Sequence, residues 1–176
     1  MSGHNKWSKI KHKKAASDAQ KSKIFGKLAR LIAVESKIAG GDTNSPGLRT
    51  AIEKAKKENM PSDNIERAIK KGAGNDMTQM EEVLYEAYGP GGCALVIKGL
   101  TDNKNRTSAE IKHILTKNGL SLAAQGSALW AFEKTDGEWE PKTMAPISDE
   151  DKQKLEKILD EFEDNDDVQD VYTNAE

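Results

Sequence analysis

Lysines dominate the start of this chain and suggest its chemistry. Lys6, Lys9, Lys11, Lys13 and Lys14 are followed by Lys21, Lys23, Lys27 and Arg30, with Asp18 the single acid among them, so residues 1–30 carry a net charge of +8. A lysine is a compact charge on a flexible stem, well suited to phosphate and poorly suited to reading base edges. The run therefore predicts binding to a nucleic-acid backbone with steep salt dependence. Trp7 and His12 lie inside the run, where either ring could stack on an unpaired base. A tail that only solubilises would need neither this sign nor an embedded tryptophan.

Other chemistries find little material. No Ser/His/Asp order with a nucleophile elbow, no HExxH and no Walker lysine is present, so no catalytic residue is assigned. Cys93 is the only cysteine and His4, His12 and His113 the only histidines, which excludes an intramolecular disulfide and a Cys/His zinc site; no metal or other cofactor is expected. Cys93 reads as a core residue. The stretch Gly89, Pro90, Gly91, Gly92 resembles a phosphate loop only loosely, because no Lys-Ser/Thr follows and it joins two strands; it reads as a turn. Asp102, Asn103, Lys104, Asn105, Arg106 and Thr107 lie between a strand and a helix. Capping accounts for Asp102 or Asn103 and leaves a contact role open for Arg106. The acidic run from Glu163 to Asp167 lacks the glycine and the final glutamate of an EF-hand, and reads as a solvated helix end.

The overall charge is only -2, from 27 Lys and Arg against 29 Asp and Glu, but it conceals a division. Residues 1–71 carry +10, residues 72–132 carry -1 and residues 133–176 carry -11. A basic half of this kind points to a polyanionic partner. With 36% hydrophobic residues and a mean hydropathy of -0.75, the chain has material for one modest domain or two small ones. Apolar runs such as residues 93–97 fall far short of the roughly 20 residues that span a bilayer. The lysines near the start precede no apolar segment, so no secretory signal is read. A reducing cytoplasm, no membrane partner and no small-molecule substrate are the corresponding expectations.

The elements that would position these residues follow from periodicity. Residues 1–16 are too polar to offset their chain entropy by burial and read as a basic flexible arm. Residues 17–75 read as a bundle of three helices. The first is capped at Ser17-Asp18, striped by Ile24, Phe25, Leu28, Leu31, Ile32 and Ile38, and stopped by Gly40-Gly41. The second starts at Ser45-Pro46 with a capping hydroxyl and carries Leu48, Ala51, Ile52 and Ala55. The third opens at residues 61–63, buries Ile65, Ala68 and Ile69, and places Gly72 at its C-cap. Residues 80–176 read as an α/β domain with strands at 83–88, 93–99, 128–132, 138–145 and 168–172 and helices at 107–118 and 149–162. From residue 93 the order is β, α, β, β, α, β. The fold class is thus α+β, a helical bundle followed by a ferredoxin-like split βαβ sandwich.

Several of these segments together carry a family resemblance. They are Gly3 to Trp7, Ile10 to Ala16, Lys23-Ile24-Phe25, Tyr88 to Gly92, Asp102 to Thr107, and Asp166 to Tyr172. Long, ordered and spread over nearly the whole chain, they resemble the YebC/PmpR family. The resemblance implies a cytoplasmic, non-enzymatic regulator of transcription that binds DNA. It equally implies a link to translation, since a mitochondrial relative activates translation of a cytochrome oxidase subunit and bacterial members relieve ribosome stalling at proline-rich sequences. The partner is then DNA or ribosomal RNA, with the ribosome itself as a further partner. By the same resemblance the N-terminal lysine element faces nucleic acid, and Tyr88, Gly89, Pro90, Gly91 and Gly92 with Asn103, Asn105 and Arg106 are candidates for a second contact surface. One departure stands out: relatives carry an inserted α/β module where this chain passes from Phe132, Glu133 and Lys134 through Asp136-Gly137 straight into Trp139. Asp-Gly suits a two-residue hairpin turn that would close the gap.

Overall fold

The structure is a computed structural model that describes residues 17–75 and 77–176. The basic flexible arm read over residues 1–16 lies outside the described residues. Two compact units divide near residue 81, with Ser17–Glu81 in one and Glu82–Glu176 in the other.

The first unit holds three helices, α1 (Asp18–Ala39), α2 (Pro46–Lys57) and α3 (Ser62–Ala73). At the start of α1 the Ser17 hydroxyl accepts from the Gln20 N–H at 3.2 Å, while the Ser17 N–H donates to the Gln20 side chain at 2.9 Å. This reciprocal pair satisfies two amides that the helix itself leaves open. Gly40, at φ 60°, ends α1 in the left-handed conformation that glycine adopts at least cost. Pro46 begins α2, but the Ser45 hydroxyl makes no capping bond; proline at the first helical position removes one orphan donor and presets φ without that help. Ile32, Leu48, Ala51, Ala55, Met60 and Ile65 form the centre of the core. Ile38, read as part of the apolar stripe, is 75% exposed; at 100° per residue it falls about 200° from buried Ser36, on the opposite side of α1, while Ala39 beyond it still packs on the core.

Gly72 is not the C-cap that the sequence suggests: α3 continues to Ala73 and Gly74 caps it. Gly72 is buried against α1, where a Cβ would overlap the Ala33 carbonyl oxygen and stand 2.7 Å from Ser36 Cβ. Beside it the Ser36 hydroxyl donates to the Ile69 carbonyl at 2.7 Å. The missing side chain lets two helix backbones touch.

In the second unit β1 (Glu81–Tyr88) and β2 (Ala94–Thr101) form a hairpin. Its turn is closed by the Gly89 N–H donating to the Cys93 carbonyl at 2.7 Å, through a single 3-10 turn at Pro90–Gly92. After α4 (Lys104–Lys117), β3 (Phe132–Thr135), β4 (Glu138–Pro141) and α5 (Asp149–Asp164), the chain ends on β5 (Val168–Thr173). The main sheet has the order β1-β2-β5, with β5 antiparallel to β2 and Val96 opposite Tyr172. Strand β2 is covered on both faces, which explains its unbroken apolar run. Leu95 and Ile97 pack with Ile111, Leu115, Leu155 and Phe162 of the two helices. Ala94 and Val96 pack on the other side with Tyr172, Ala131 and Phe132.

The class is α+β, and the expected order of elements is present. The layout of the sheet differs from a split βαβ sandwich in one respect: β3 and β4 pair with each other in a ribbon of their own. The short turn of the β1–β2 hairpin brings β1 against β2 first, and β1 occupies that edge. Asp136 (φ 51°) and Gly137 (φ 82°) form the two-residue turn of the β3–β4 ribbon, as a type I′ hairpin requires. The strand read at 128–132 is displaced, since Leu129–Ala131 is a 3-10 turn, and the one read at 138–145 starts at Glu138 as expected but stops at Pro141, which has no N–H to extend a ladder.

Candidate nucleic-acid interface

Lys6, Trp7, Lys9, Lys11, His12, Lys13 and Lys14 lie outside the described residues. The remaining four cations of the lysine run are on α1. Lys23, Lys27 and Arg30 follow at spacings of four and three, which at 100° per residue gathers them on one face, away from buried Ile32 and Ser36. Lys21 falls nearly half a turn from Lys23 and does not share that face. Lys23 is exposed, and Lys27 and Arg30 are half-buried.

The two groups read as a second contact surface lie at opposite ends of β2. With eight residues in that strand, they stand about 25 Å apart along it. At the turn end, Gly89 is buried, and a Cβ there would meet Cys93 Sγ at 2.9 Å. Gly91 (φ 70°) closes on Ile147, whose Cγ2 a Cβ would meet at 2.7 Å. Pro90 is half-buried, while Gly92 faces open space. The Tyr88 hydroxyl donates to the Ser127 carbonyl and accepts from Trp130 Nε1 at 3.1 Å. Both rings are substantially exposed.

The loop that carries Ser127 and Trp130 is held by Glu86. Its carboxylate, 4% exposed, accepts from the N–H groups of Gly126 at 2.6 Å, Ala128 at 2.9 Å and Leu129 at 2.7 Å. Glu86 was not singled out in the sequence, where it is one acid among 29. Its position in a strand between apolar Tyr85 and Ala87 was the available signal.

At the other end of β2, Asn103 caps α4 by accepting from the Arg106 N–H at 3.1 Å, and Asn105 is exposed on the first turn. Arg106 reaches Asp167 through Nε at 3.2 Å and Nη2 at 3.0 Å, and Asp102 through Nη2 at 2.7 Å. Those two carboxylates, Asp102 foremost, hold the guanidinium more firmly protonated than usual. Asp167 also accepts from the Thr107 hydroxyl at 2.8 Å, and its carbonyl accepts from the Leu100 N–H at 2.8 Å. It therefore ties β5 to β2 and to α4. The reading of Glu163 to Asp167 as a solvated helix end fails at this residue, which is 3% exposed. Only the fold reveals that a cation 61 positions away neutralises it.

Burial raises the pKa of the Cys93 thiol, which makes it less reactive. Among the described residues no group of three or more His, Cys, Asp and Glu is placed to hold a metal ion. No helix among them is long and apolar enough to cross a membrane.

These features define an α+β protein in which a basic helical unit precedes an acidic sheet unit. Residues 5–75 match the family model described as TACO1/YebC protein N-terminal domain, and residues 80–137 and 133–175 match TACO1/YebC second and third domain. The chain belongs to the TACO1/YebC family. It is 42% identical to a "Probable transcriptional regulatory protein" of Fervidobacterium nodosum, over 99% of this chain and 93% of that protein. A protein of the same description from Pseudothermotoga lettingae is 57% identical over 76% of this chain and 54% of its own length. The crystal structure of a conserved hypothetical protein from Aquifex aeolicus superposes with a TM-score of 0.80 at 36% identity, covering 95% of each chain. The alignment with the Fervidobacterium protein runs over 236 positions. A chain of 176 residues leaves at least 60 of these without a counterpart. The two pieces of the second family model meet at residues 133–137, the tip of the β3–β4 ribbon.

Proposed function

We propose that this chain is a non-enzymatic regulator of gene expression that grips nucleic-acid phosphate with its N-terminal lysines and the cationic face of α1. The observation that carries this reading is the placement of Lys23, Lys27 and Arg30 on one helix face, directly after a segment with five lysines and no acid. Phosphate contact by such a face is electrostatic and indifferent to sequence. The description of the relatives as transcriptional regulatory proteins supports a role in transcription.

A second reading, a translation factor acting at the ribosome and relieving stalls at proline-rich sequences, is favoured by composition. Eight of the nine cations in residues 1–30 are lysine, and direct readout of bases relies on Arg, Asn and Gln. Binding of the full chain to duplex DNA and to structured RNA, titrated between 50 and 200 mM salt, tests the shared premise. Affinity falls by about a hundredfold or more, and the double variant Lys23→Glu, Lys27→Glu lowers the salt slope by about two. Affinity that does not change with salt refutes the phosphate grip. Co-sedimentation with ribosomes, set against preference for one operator, separates the two readings.

A further inference from the structure

The helical unit contains a groove of about 740 Å³ between α1, α3 and the segment at residues 77–80, within the size range of ligand sites. Its apolar surface is supplied by Phe25, Met60, Met77 and Met80. Arg30, Arg67 and Lys71 also line it, and no Asp or Glu is among the lining residues. Arg67 is pinned along α3 by bonds to the Asn64 side chain and, at 3.4 Å, to the Asp63 carbonyl. An apolar floor with cations and no acid suits a ligand that is flat and apolar in its body and anionic at its edge.

We propose that this groove receives an unpaired nucleotide, its base against Phe25 and the methionines and its phosphates on Arg30, Arg67 and Lys71. The inference rests on the phosphate-binding reading above and specifies what that site accepts: single-stranded or looped nucleic acid rather than duplex. Two observations favour a nucleotide over an acidic peptide. Arg30 belongs both to the groove and to the face formed with Lys23 and Lys27, so a strand held by that face arrives at the groove without a gap in positive charge. Methionine sulfur is polarizable and makes favourable contacts with aromatic rings, and three methionines line one groove. Bases inside a duplex are stacked and paired and cannot enter.

The test uses the full chain and hairpin oligonucleotides, one RNA and one DNA, each with 2-aminopurine in the loop, beside fully paired duplexes of the same strands. Both loops are expected to bind at least tenfold more tightly than the duplexes, with a change in 2-aminopurine fluorescence; any difference between them reports the preferred sugar. The double variant Met77→Ala, Met80→Ala, two residues outside the buried core, should weaken loop binding about tenfold and leave duplex binding within about twofold. Leucine at both positions should recover part of the loss. Arg67→Glu should weaken loop binding more than duplex binding, and unchanged circular dichroism melting shows that each variant is folded. Equal, salt-sensitive affinity for loop and duplex overturns the groove and leaves the phosphate grip standing. Absence of salt-sensitive binding to either removes both. An acidic amphipathic peptide that needs Met77 and Met80 while the loops do not overturns the inference and assigns the groove to a protein.

Discussion

Replacing Gly72 with alanine sets two effects of opposite sign against each other. Inside a helix the change should stabilise, since alanine is favoured over glycine by about 0.5–1 kcal/mol. At Gly72, however, the new Cβ would overlap the Ala33 carbonyl oxygen and press on Ser36 Cβ. A backbone oxygen in the middle of α1 cannot move aside by changing rotamer, so the two helices must separate. Overpacking of this kind costs about 1–3 kcal/mol, and separation also strains the Ser36–Ile69 hydrogen bond, worth about 1 kcal/mol. The balance is a loss of about 2 kcal/mol, or roughly 10 °C for a unit of this size. Gly26, also within a helix, has nothing within 4 Å of its would-be Cβ, so Gly26→Ala should instead gain about 0.5–1 kcal/mol. Urea and thermal unfolding of the full chain by circular dichroism would measure both, with hydrogen exchange assigning each transition to its unit, because two units need not melt together. A Gly72→Ala chain as stable as the parent would refute the close helix contact.

Two further outcomes are expected. Arg106→Ala removes the guanidinium partner of buried Asp167 and should lower the urea midpoint, the loss being moderated because the guanidinium side chain is 42% exposed to screening water. Lysine at this position should restore less than half of the loss, since it cannot bridge two carboxylates as a planar fork does. Urea unfolding reads the loss, and unchanged oligonucleotide affinity would assign Arg106 to structure rather than contact. Burial works against the charged form of Glu161, but bonds from Lys117 at 2.8 Å and Asn118 at 3.4 Å outweigh it and hold the carboxyl below its ordinary range. The folded chain therefore binds fewer protons here than the unfolded one, and the stabilisation is full above the ordinary carboxylate pKa of about 4.3. It fades as pH falls through the lower folded value. Glu161→Gln should accordingly cost about 0.5 kcal/mol at pH 7 and progressively less as pH falls below the ordinary carboxylate range, measured by urea midpoints across that range.

Local signals were sufficient for the elements whose causes are local. The cap at Ser17, the stop at Gly40, the Asp136-Gly137 turn and the cap at Asn103 depend on residues within a few positions of one another, and each is at its expected place. The α+β class followed from helical periodicity giving way to β-rich runs, and the continuous apolar run of β2 marked a strand buried on both faces. Positions decided by distant partners could not be read in this way. Gly72 had the sequence context of a helix end, and only the approach of α1 shows that it is a contact point. Asp167 lay in a run of acids that suggested solvent, and its burial depends on a guanidinium from another helix. Ile38 matched the stripe of α1 but lies on the side of the helix opposite buried Ser36.

The same division holds for the candidate interface. Charge along the chain determined by itself that the N-terminal part suits phosphate, because net charge and lysine content survive any fold. The folded structure decided which cations lie together: helical rotation gathers Lys23, Lys27 and Arg30 and separates Lys21, the length of β2 sets the two loops of the second candidate surface at opposite ends of one strand, and the crossing of α1 and α3 brings Arg67, Lys71 and three methionines to the groove beside Arg30. Composition is a sum over residues, whereas a binding site requires proximity between residues far apart in the chain, and that comes only from packing.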